Sequence, residues 1–116
     1  MTTAMRRAMD QALEYQRMRP TIVAAGEPAL ARLASLAVRP TGQSAVLGRF
    51  LLGLYDGQTY PFNLTELRGL DLDLFEDCMR VVMMDYSPEV EVHQRVPNGP
   101  AIWRELAAMW GKGAAR

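Results

Sequence analysis

The sequence predicts an all-α or nearly all-α fold: a compact bundle of five to six short helices, with at most a minimal two-stranded β ribbon. Its 116 residues fit one domain. The composition, 49% hydrophobic and 22% charged, is typical of globular chains and excludes a disordered one. Apolar residues recur at helical spacing between helix start and stop signals. We therefore expect a single domain, with an N-terminal helical arm at 1–25, a helical core at 26–111 and a frayed tail at 112–116.

The first predicted helix covers residues 3–18 and ends at Arg19-Pro20, since the residue before a proline avoids the α conformation. Its apolar face is weak, because it consists of methionine and alanine rather than leucine: Met5, Met9 and Ala12. Such a face is buried only if another element covers it. It could be an arm exchanged between the subunits of a homodimer. Adaptable methionine packing within one chain is the interpretation that the sequence favours.

Two further helices are expected before residue 57. Gly26-Glu27-Pro28 has the composition of a helix start, so a helix should cover 29–38 and stop at Arg39-Pro40. Thr41 is then a good N-cap for the helix with the widest apolar stripe. That stripe consists of Val46, Leu47, Phe50, Leu51, Leu54 and Tyr55.

Two more capping residues predict the helices that follow. Asn63 should cap a short helix at 64–69, with Glu66 completing a capping box. Asp71 should cap a longer helix at 72–86, whose inner face is expected to contain Phe75, Cys78, Met79, Val82 and Met83.

The last third of the chain mixes two patterns. Residues 89–95 alternate between apolar and polar, which indicates one short strand that would pair with 60–62. A final helix is expected at 101–110, ended by Gly111.

Charge is balanced over the whole chain but uneven along it. Residues 1–50 carry seven arginines and three acidic residues (net +4), and residues 51–95 carry three arginines and nine acidic residues (net −6). We favour the interpretation that the acidic residues stabilise helix N-termini; alternatively, the asymmetry steers a partner. The lone cysteine excludes an internal disulfide and indicates a reducing compartment. Since no leader or membrane-spanning apolar run is found, we expect a cytoplasmic protein without membrane contact.

No segment has the residue spacing of a catalytic, nucleotide or metal site, so we predict a non-enzymatic protein without cofactor or metal. Asp73 and Asp77 lie one helical turn apart and could share a cation, but divalent ions need about six oxygen ligands in a defined arrangement. Cys78 and His93 could form a nucleophile–base pair. The apolar neighbours of Cys78 favour a buried, inert thiol instead.

Three groups of residues are candidates for partner binding. The acidic group could contact a basic protein surface; it comprises Asp71, Asp73, Glu76 and Asp77. Trp103 lies seven residues before Trp110, and each either completes the core or joins an interface. The alternative is a nucleic-acid site on the first helix, formed by Arg6, Arg7, Arg17 and Arg19. Direct nucleic-acid binding is the weaker hypothesis, because the helix-turn-helix outline at 64–84 begins its second helix with acidic residues.

Five stretches carry a resemblance to known sequences: Thr41-Gly42-Gln43-Ser44, Phe50-Leu51-Leu52, residues 62–71, Glu91-Val92-His93, and the closing helix that ends at Trp110. With them the chain resembles an uncharacterised family of small proteobacterial proteins, often encoded on plasmids and integrative elements. The first 25 residues lie outside the similarity. The resemblance implies an accessory protein of a mobile element, and it implies no particular activity.

The leading prediction is therefore a non-enzymatic protein-binding module of mobile-element origin. One concrete form is an inhibitor of a host defence complex, of the anti-CRISPR type, whose acidic helix surface would occupy a basic nucleic-acid channel. The alternative prediction is a nucleic-acid-binding regulator that uses the arginine-rich first helix.

Overall fold

The computed structural model describes residues 2–114, with side chains described as far as Lys112. This part of the chain contains four α-helices: α1 (Thr3–Ala37), α2 (Gly42–Tyr55), α3 (Leu72–Asp85) and α4 (Gly99–Ala114). Two 3₁₀ helices lie between them, at Leu64–Gly69 and Val92–Gln94, and residues 2–114 contain no strand. The all-α prediction is thus confirmed.

The β ribbon is not supported, because the segment expected to form its second strand folds into a tight turn. The main-chain N–H of Gln94 donates to the carbonyl of Glu91 over 2.9 Å, and the N–H of Glu91 donates to the Gln94 side chain over 3.0 Å. These bonds close a single 3₁₀ turn, which buries Val92 in the core. The alternation of apolar and polar residues therefore reflects a turn with one inward side chain.

The first helix is much longer than predicted. It runs for 35 residues through Pro20 and Pro28, so neither proline stops it, and it includes the segments predicted as two separate helices. Each proline leaves the carbonyl four residues earlier without a helical donor, at a cost of about 3 kcal/mol. Those carbonyls belong to Gln16 and Ala24, which are exposed and therefore accessible to water. Burial of Ile22 and the residues that follow it offsets the remaining cost.

The core lies where α1, α2, α3 and α4 meet. Helices α1 and α3 are antiparallel, since Asp77 in α3 contacts Arg32, whereas Tyr86, just after α3, contacts Tyr15. Helix α2 packs between α1 and α4. The largest fully buried side chains are Leu30, Leu33, Leu47, Leu51, Leu52, Met84 and Leu106.

The junction between α1 and α3 is close-packed at Gly26. A Cβ built on Gly26 would lie 2.7 Å from the sulfur of Met84 and 3.2 Å from the carbonyl oxygen of Arg80. The glycine that was expected to start a helix is therefore in the middle of one. Because glycine has no side chain, the backbone of α3 at Arg80 can pass close to α1 at this position.

The inward face of α3 differs from the predicted one. Cys78 is buried as expected, but Val82 and Met83 are exposed, and the other buried residues are Asp77, Val81 and Met84. The face is rotated because Asp77 turns inward to meet Arg32 of α1. A prediction that places only apolar residues inside misses this rotation.

Local capping was predicted with mixed success. The Thr41 hydroxyl accepts from the N–H of Ser44 over 3.1 Å, and Asn63 accepts from the N–H of Thr65 over 3.0 Å, as expected. Glu66 does not complete a capping box; it forms an ion pair with Arg49 of α2. Asp71 makes no side-chain capping bond to α3.

Helix α4 is also longer than the predicted 101–110, and it continues through Gly111 to Ala114. Residues 112–114 of the tail expected to fray are thus helical, while 115–116 lie outside the described residues. The whole described chain measures 53 × 28 × 26 Å. Its radius of gyration is 15.7 Å, whereas a globular domain of this length has roughly 13 Å. The excess length comes from α1.

Candidate protein-binding surfaces

The first third of α1 extends beyond the rest of the molecule. Every residue from Thr2 to Glu14 is exposed, whereas Tyr15 is half-buried beside α3. A helix of this length spans about 52 Å, which matches the 53 Å long axis. We call residues 2–14 the arm and the remaining described residues the body.

The arm has one apolar and one charged side. Successive helical residues are about 100° apart, which places Met5, Ala8, Met9 and Ala12 on one side, with Leu13 at its edge next to the charged side. Their exposed fractions are 57% for Met5, 50% for Met9 and 57% for Leu13. The opposite side carries Arg6, Arg7, Asp10, Glu14 and, just past the arm, Arg17. The arm is therefore an amphipathic helix whose apolar side faces solvent.

A groove lies where the arm meets the body. It has a volume of about 760 Å³, and its lining includes Ala8, Ala12, Tyr15, Met83 and Tyr86. The rings of Tyr15 and Tyr86 are in edge-to-face contact, with centroids 5.3 Å apart, yet Tyr86 remains 77% exposed. Ala8 and Ala12, at one edge of the apolar side of the arm, thus adjoin exposed apolar residues at the end of α3. We call this the junction groove.

Arg19 fixes the base of the arm. Its guanidinium donates twice to Glu89, at 3.0 Å each, once to the carbonyl of Met84 at 2.7 Å and once to the Tyr15 hydroxyl at 3.0 Å. The bond to Glu89 raises the pKa of Arg19. Arg95 binds the same carboxylate. Arg19, predicted as a nucleic-acid contact, is therefore committed to holding α1 against the end of α3.

The other three arginines of the predicted nucleic-acid group are exposed on the charged side of α1: Arg6, Arg7 and Arg17. Arg17 forms an exposed ion pair with Glu14 at 2.8 Å. Asp10 and Glu14 lie between these arginines on the same side of the helix. Mixed charge of this kind weakens attraction for phosphate.

The acidic group is divided by the fold. Asp77 is only 5% exposed, and its carboxylate accepts two bonds from Arg32, at 2.9 and 2.8 Å, and one from Arg80 at 2.9 Å. The bonds from Arg32 hold the pKa of Asp77 below its ordinary value. Asp77 therefore ties α3 to α1 and is not available to a partner.

The rest of the acidic group is exposed. Asp71 is joined to Gln43 by two bonds, one from its N–H at 2.8 Å and one to its carboxylate at 3.2 Å. Asp73 and Glu76 form no ion pair with any residue in the described part of the chain. Only these two carboxylates, with Asp71 beside them, form the acidic surface at the start of α3.

Part of the charge asymmetry along the sequence is used in ion pairs within the molecule. Arg19 pairs with Glu89, Arg32 with Asp77, and Arg49 with Glu66. Each pair joins the basic first half of the chain to the acidic segment at 51–95.

Both tryptophans belong to the body. Trp103 is 4% exposed, and its indole N–H donates to the carbonyl of Leu51 over 3.2 Å, so it is a core residue and not a partner-binding one. Trp110 is half-buried, and its N–H donates to the carbonyl of Ala37, the last residue of α1, over 2.9 Å. Gly48 leaves the space that the Trp110 ring occupies. The tryptophans therefore connect α4 to α2 and α1.

The Cys78 thiol is fully buried, and burial raises its pKa to about 12. His93 contacts the rings of Tyr55 and Trp103 rather than Cys78. Within residues 2–114, no three histidine, cysteine or acidic side chains are close enough together to bind a metal ion. None of the described helices is both long and apolar enough to cross a bilayer.

Met83 and Tyr86, which line the groove beside the arm, are not predicted as surface residues of a binding site from the sequence. The signal was present: Met5, Ala8, Ala12 and Tyr15 are separated by three or four residues, and the same spacing continues to Ile22. It was overlooked because Pro20 was interpreted as the end of a helix.

Residues 27–111 of the chain match a family of unknown function (DUF7673). The matched segment begins within α1, so the arm lies N-terminal to it. Neither a curated protein nor a solved structure shows significant similarity to the chain.

Proposed function

Since this chain belongs to a family of unknown function (DUF7673), we propose its function from its surface: it is a non-enzymatic protein-binding module whose binding element is the arm. The observation that carries the proposal is the apolar side of the arm, which is formed by Met5, Met9 and Leu13 and lies open to solvent. Clusters of exposed apolar residues of this kind mark interaction sites.

An amphipathic helix binds proteins by placing its apolar side in a groove or against another helix. Full burial of a leucine or methionine contributes roughly 1.5–3 kcal/mol. The three large side chains of the arm are about half exposed, so burying what remains would contribute a few kcal/mol before the entropic cost of association is subtracted. Methionine adapts its shape to the partner, which suits a binding surface.

The acidic surface at the start of α3 is a second candidate. It is favoured by the exposure of Asp73 and Glu76 without internal ion pairs. A basic protein surface would complement it, and inhibition of a host defence complex, of the anti-CRISPR type, is one function that such a surface could serve. An origin on a proteobacterial mobile element would fit that role and stays a prediction. A nucleic-acid-binding regulator is less well supported, because Asp10 and Glu14 separate the exposed arginines of α1.

The test begins with capture of a partner by the immobilised protein, followed by purification of that partner and measurement of its affinity. Met9→Glu places a charge in the middle of the apolar side and should abolish binding. Ala24→Glu adds the same charge on the exposed outer side of α1 in the body, so it is the matched control and should leave binding unchanged. A purified partner that binds both variants with wild-type affinity would contradict a binding role for the arm.

The double variant Asp73→Lys with Glu76→Lys tests the second surface in the same assay. If the acidic surface binds a basic partner, charge reversal should weaken binding strongly, and the wild-type affinity should fall as salt is added. An affinity that responds to neither change would exclude this surface.

A further inference from the structure

We propose that the body contains a small-molecule site, a cavity that binds a carboxylate carried on a single aromatic ring. The cavity has a volume of about 240 Å³ and lies where the end of α2, the turn at Val92–Gln94 and the first half of α4 meet. Its lining includes Tyr55, Tyr60, His93, Trp103 and Arg104, and we call it the aromatic cavity. No residue of the arm lines it, so the inference is independent of the proposed function.

Aromatic rings form much of this lining and are held by the core. The His93 ring is in edge-to-face contact with the Tyr55 ring, with centroids 4.9 Å apart, and its centroid lies 6.5 Å from that of the Trp103 ring. Trp103 is buried, and its indole N–H donates to the carbonyl of Leu51. A planar ring can pack against such walls by stacking or by edge-to-face contact. The cavity is therefore suited to an aromatic ligand.

Three glycines fix the backbone that carries two of these rings. Gly99, at the start of α4, lies so close to the main-chain carbonyl of His93 that no residue with a side chain would fit there. Tyr60 is held on two sides: its carbonyl oxygen lies 3.2 Å from a Cβ built on Gly53 of α2, and its ring lies 3.2 Å from a Cβ built on Gly111 of α4. The walls are thus in place before a ligand binds, which lowers the entropic cost of binding.

His93 offers a hydrogen-bond donor. Its Nδ1 is buried and has no hydrogen-bond partner within the described residues. A proton on Nδ1 would make it a buried donor without an acceptor, and buried N–H groups of this kind are rarer than under-used acceptors. We therefore place the proton of the neutral ring on Nε2. The Nε2–H group is then the donor that His93 has available for a ligand.

The other polar side chains of the lining can also donate. The exposed guanidinium of Arg104 forms no ion pair with any residue in the described part of the chain. Among the tyrosines, only Tyr15 uses its hydroxyl in a hydrogen bond within residues 2–114, so the hydroxyls of Tyr55 and Tyr60 have no partner there. None of the described residues that line the cavity is acidic. An anion therefore meets several donors and no repelling charge, and a carboxylate can bind the guanidinium of Arg104 through two bonds.

The volume limits the ligand to one ring. Sites for drug-sized ligands have roughly 300–1,000 Å³, and the aromatic cavity is smaller. A nucleotide or a peptide segment is too large to be enclosed, whereas one ring with a short acidic group is not. A smaller anion such as acetate would leave the aromatic walls unused. A ligand of about ten non-hydrogen atoms is expected to bind with micromolar to millimolar affinity.

Proton NMR tests the site with benzoate as the probe. His93 is the only histidine in the chain, so its two ring C–H signals report on the cavity without assignment of the other residues. Titration with benzoate should shift both signals along a saturating curve. Benzamide has the same ring without the charge, and acetate has the charge without the ring. Each should bind at least about tenfold more weakly than benzoate, because each loses one half of the interaction.

Two arginine variants locate the binding. Arg104→Ala removes the guanidinium from the cavity and should weaken benzoate binding at least about tenfold. Arg68→Ala removes an exposed arginine that does not line the cavity, so it is the matched control and should bind benzoate as the wild type does. Both side chains are exposed, and circular dichroism confirms that both variants are folded. Isothermal titration calorimetry gives the affinities independently of the His93 signals.

Three results would overturn the inference. The first is that neither benzoate nor phenylacetate, whose carboxylate lies one carbon further from the ring, shifts the His93 signals at millimolar concentration. The second is that benzamide or acetate binds as tightly as benzoate. The third is that Arg104→Ala keeps the wild-type affinity, or that Arg68→Ala loses as much.

The proposed function fails by a different result. Met9→Glu tests the arm and should bind benzoate as the wild type does, because Met9 does not line the aromatic cavity. Arm variants that keep the affinity for a purified protein partner contradict the role of the arm and leave the cavity supported by its own titration. A chain that fails to bind benzoate while Met9→Glu abolishes partner binding loses the cavity and keeps the arm.

Discussion

The two parts of α1 differ in environment although they form one helix. The part from Tyr15 to Ala37 is packed against α2 and α3, and its inward residues are buried. The arm has the same periodicity but no neighbour in the described chain. Isolated helices of about 12–15 residues are marginal in water, so the arm depends on the packed part as a nucleus. The comparison shows that one amphipathic pattern can stabilise a core at one end and present a binding surface at the other.

The largest difference between the two parts should appear when a leucine is truncated in each. Leu33 is fully buried and Leu13 is exposed. Leu33→Ala should lower the free energy of unfolding by about 2–5 kcal/mol, because it removes buried contacts and leaves a cavity. Leu13→Ala should change it by less than about 0.5 kcal/mol. Urea denaturation measures both changes in the free energy of unfolding, and equal effects would show that the arm is packed in solution.

A smaller effect is expected at the close approach of α1 to α3. An added methyl group at Gly26 would meet Met84 and the Arg80 carbonyl, so Gly26→Ala should destabilise the fold by roughly 1–3 kcal/mol. Gly42, at the first position of α2, has no neighbour within 4 Å of an added Cβ. Gly42→Ala should therefore be neutral or stabilising by up to about 1 kcal/mol. Thermal unfolding distinguishes the two variants, and a stabilised Gly26→Ala protein would disprove the tight contact.

The smallest of the three effects concerns Asp77 and depends on pH. Its pKa is lowered in the folded state, so the ionised form stabilises the fold above the ordinary carboxyl pKa, near 3.9. That contribution is lost as pH falls through the lower, folded-state pKa. Asp77→Ala should cost about 1–2 kcal/mol at neutral pH, since the freed arginines remain partly hydrated.

The control for this prediction is Asp10→Ala, which removes an exposed carboxylate from the arm. Its stability should follow the wild type at every pH, whereas the difference between the wild type and Asp77→Ala should shrink below about pH 4. Chemical denaturation at several pH values measures the difference. A gap that stays constant down to the acid limit would show that Asp77 acts by packing and not through its charge.

How far the sequence predicted the fold depended on the distance between interacting residues. Thr41 and Asn63 were assigned as caps correctly, because each bonds an N–H two or three residues away. Asp77 was misassigned to the surface, because Arg32 lies 45 residues earlier in the chain. Pro20 and Pro28 were interpreted as boundaries from their local chemistry, whereas packing against α3 decides the length of α1.

The candidate site was predicted only in outline. The methionine-rich face of the first helix is visible in the sequence, which favours adaptable packing within one chain over an arm exchanged in a dimer. Helix α3 stops beside Tyr15 and leaves that face uncovered, and this depends on tertiary structure. Trp103 was a reasonable interface candidate from composition, and its burial follows from the position of Leu51, 52 residues earlier.

The bond between Trp110 and Ala37 has a consequence for how the chain is synthesised. The carbonyl of Ala37, in the final turn of α1, accepts a hydrogen bond from a residue 73 positions later. That carbonyl therefore lacks this donor until α4 has been synthesised. Contacts this distant in sequence form late and slow the search for the native state. A nascent chain that lacks α4 would therefore leave the carbonyl of Ala37 without this donor and the side of the core that α4 covers open to solvent.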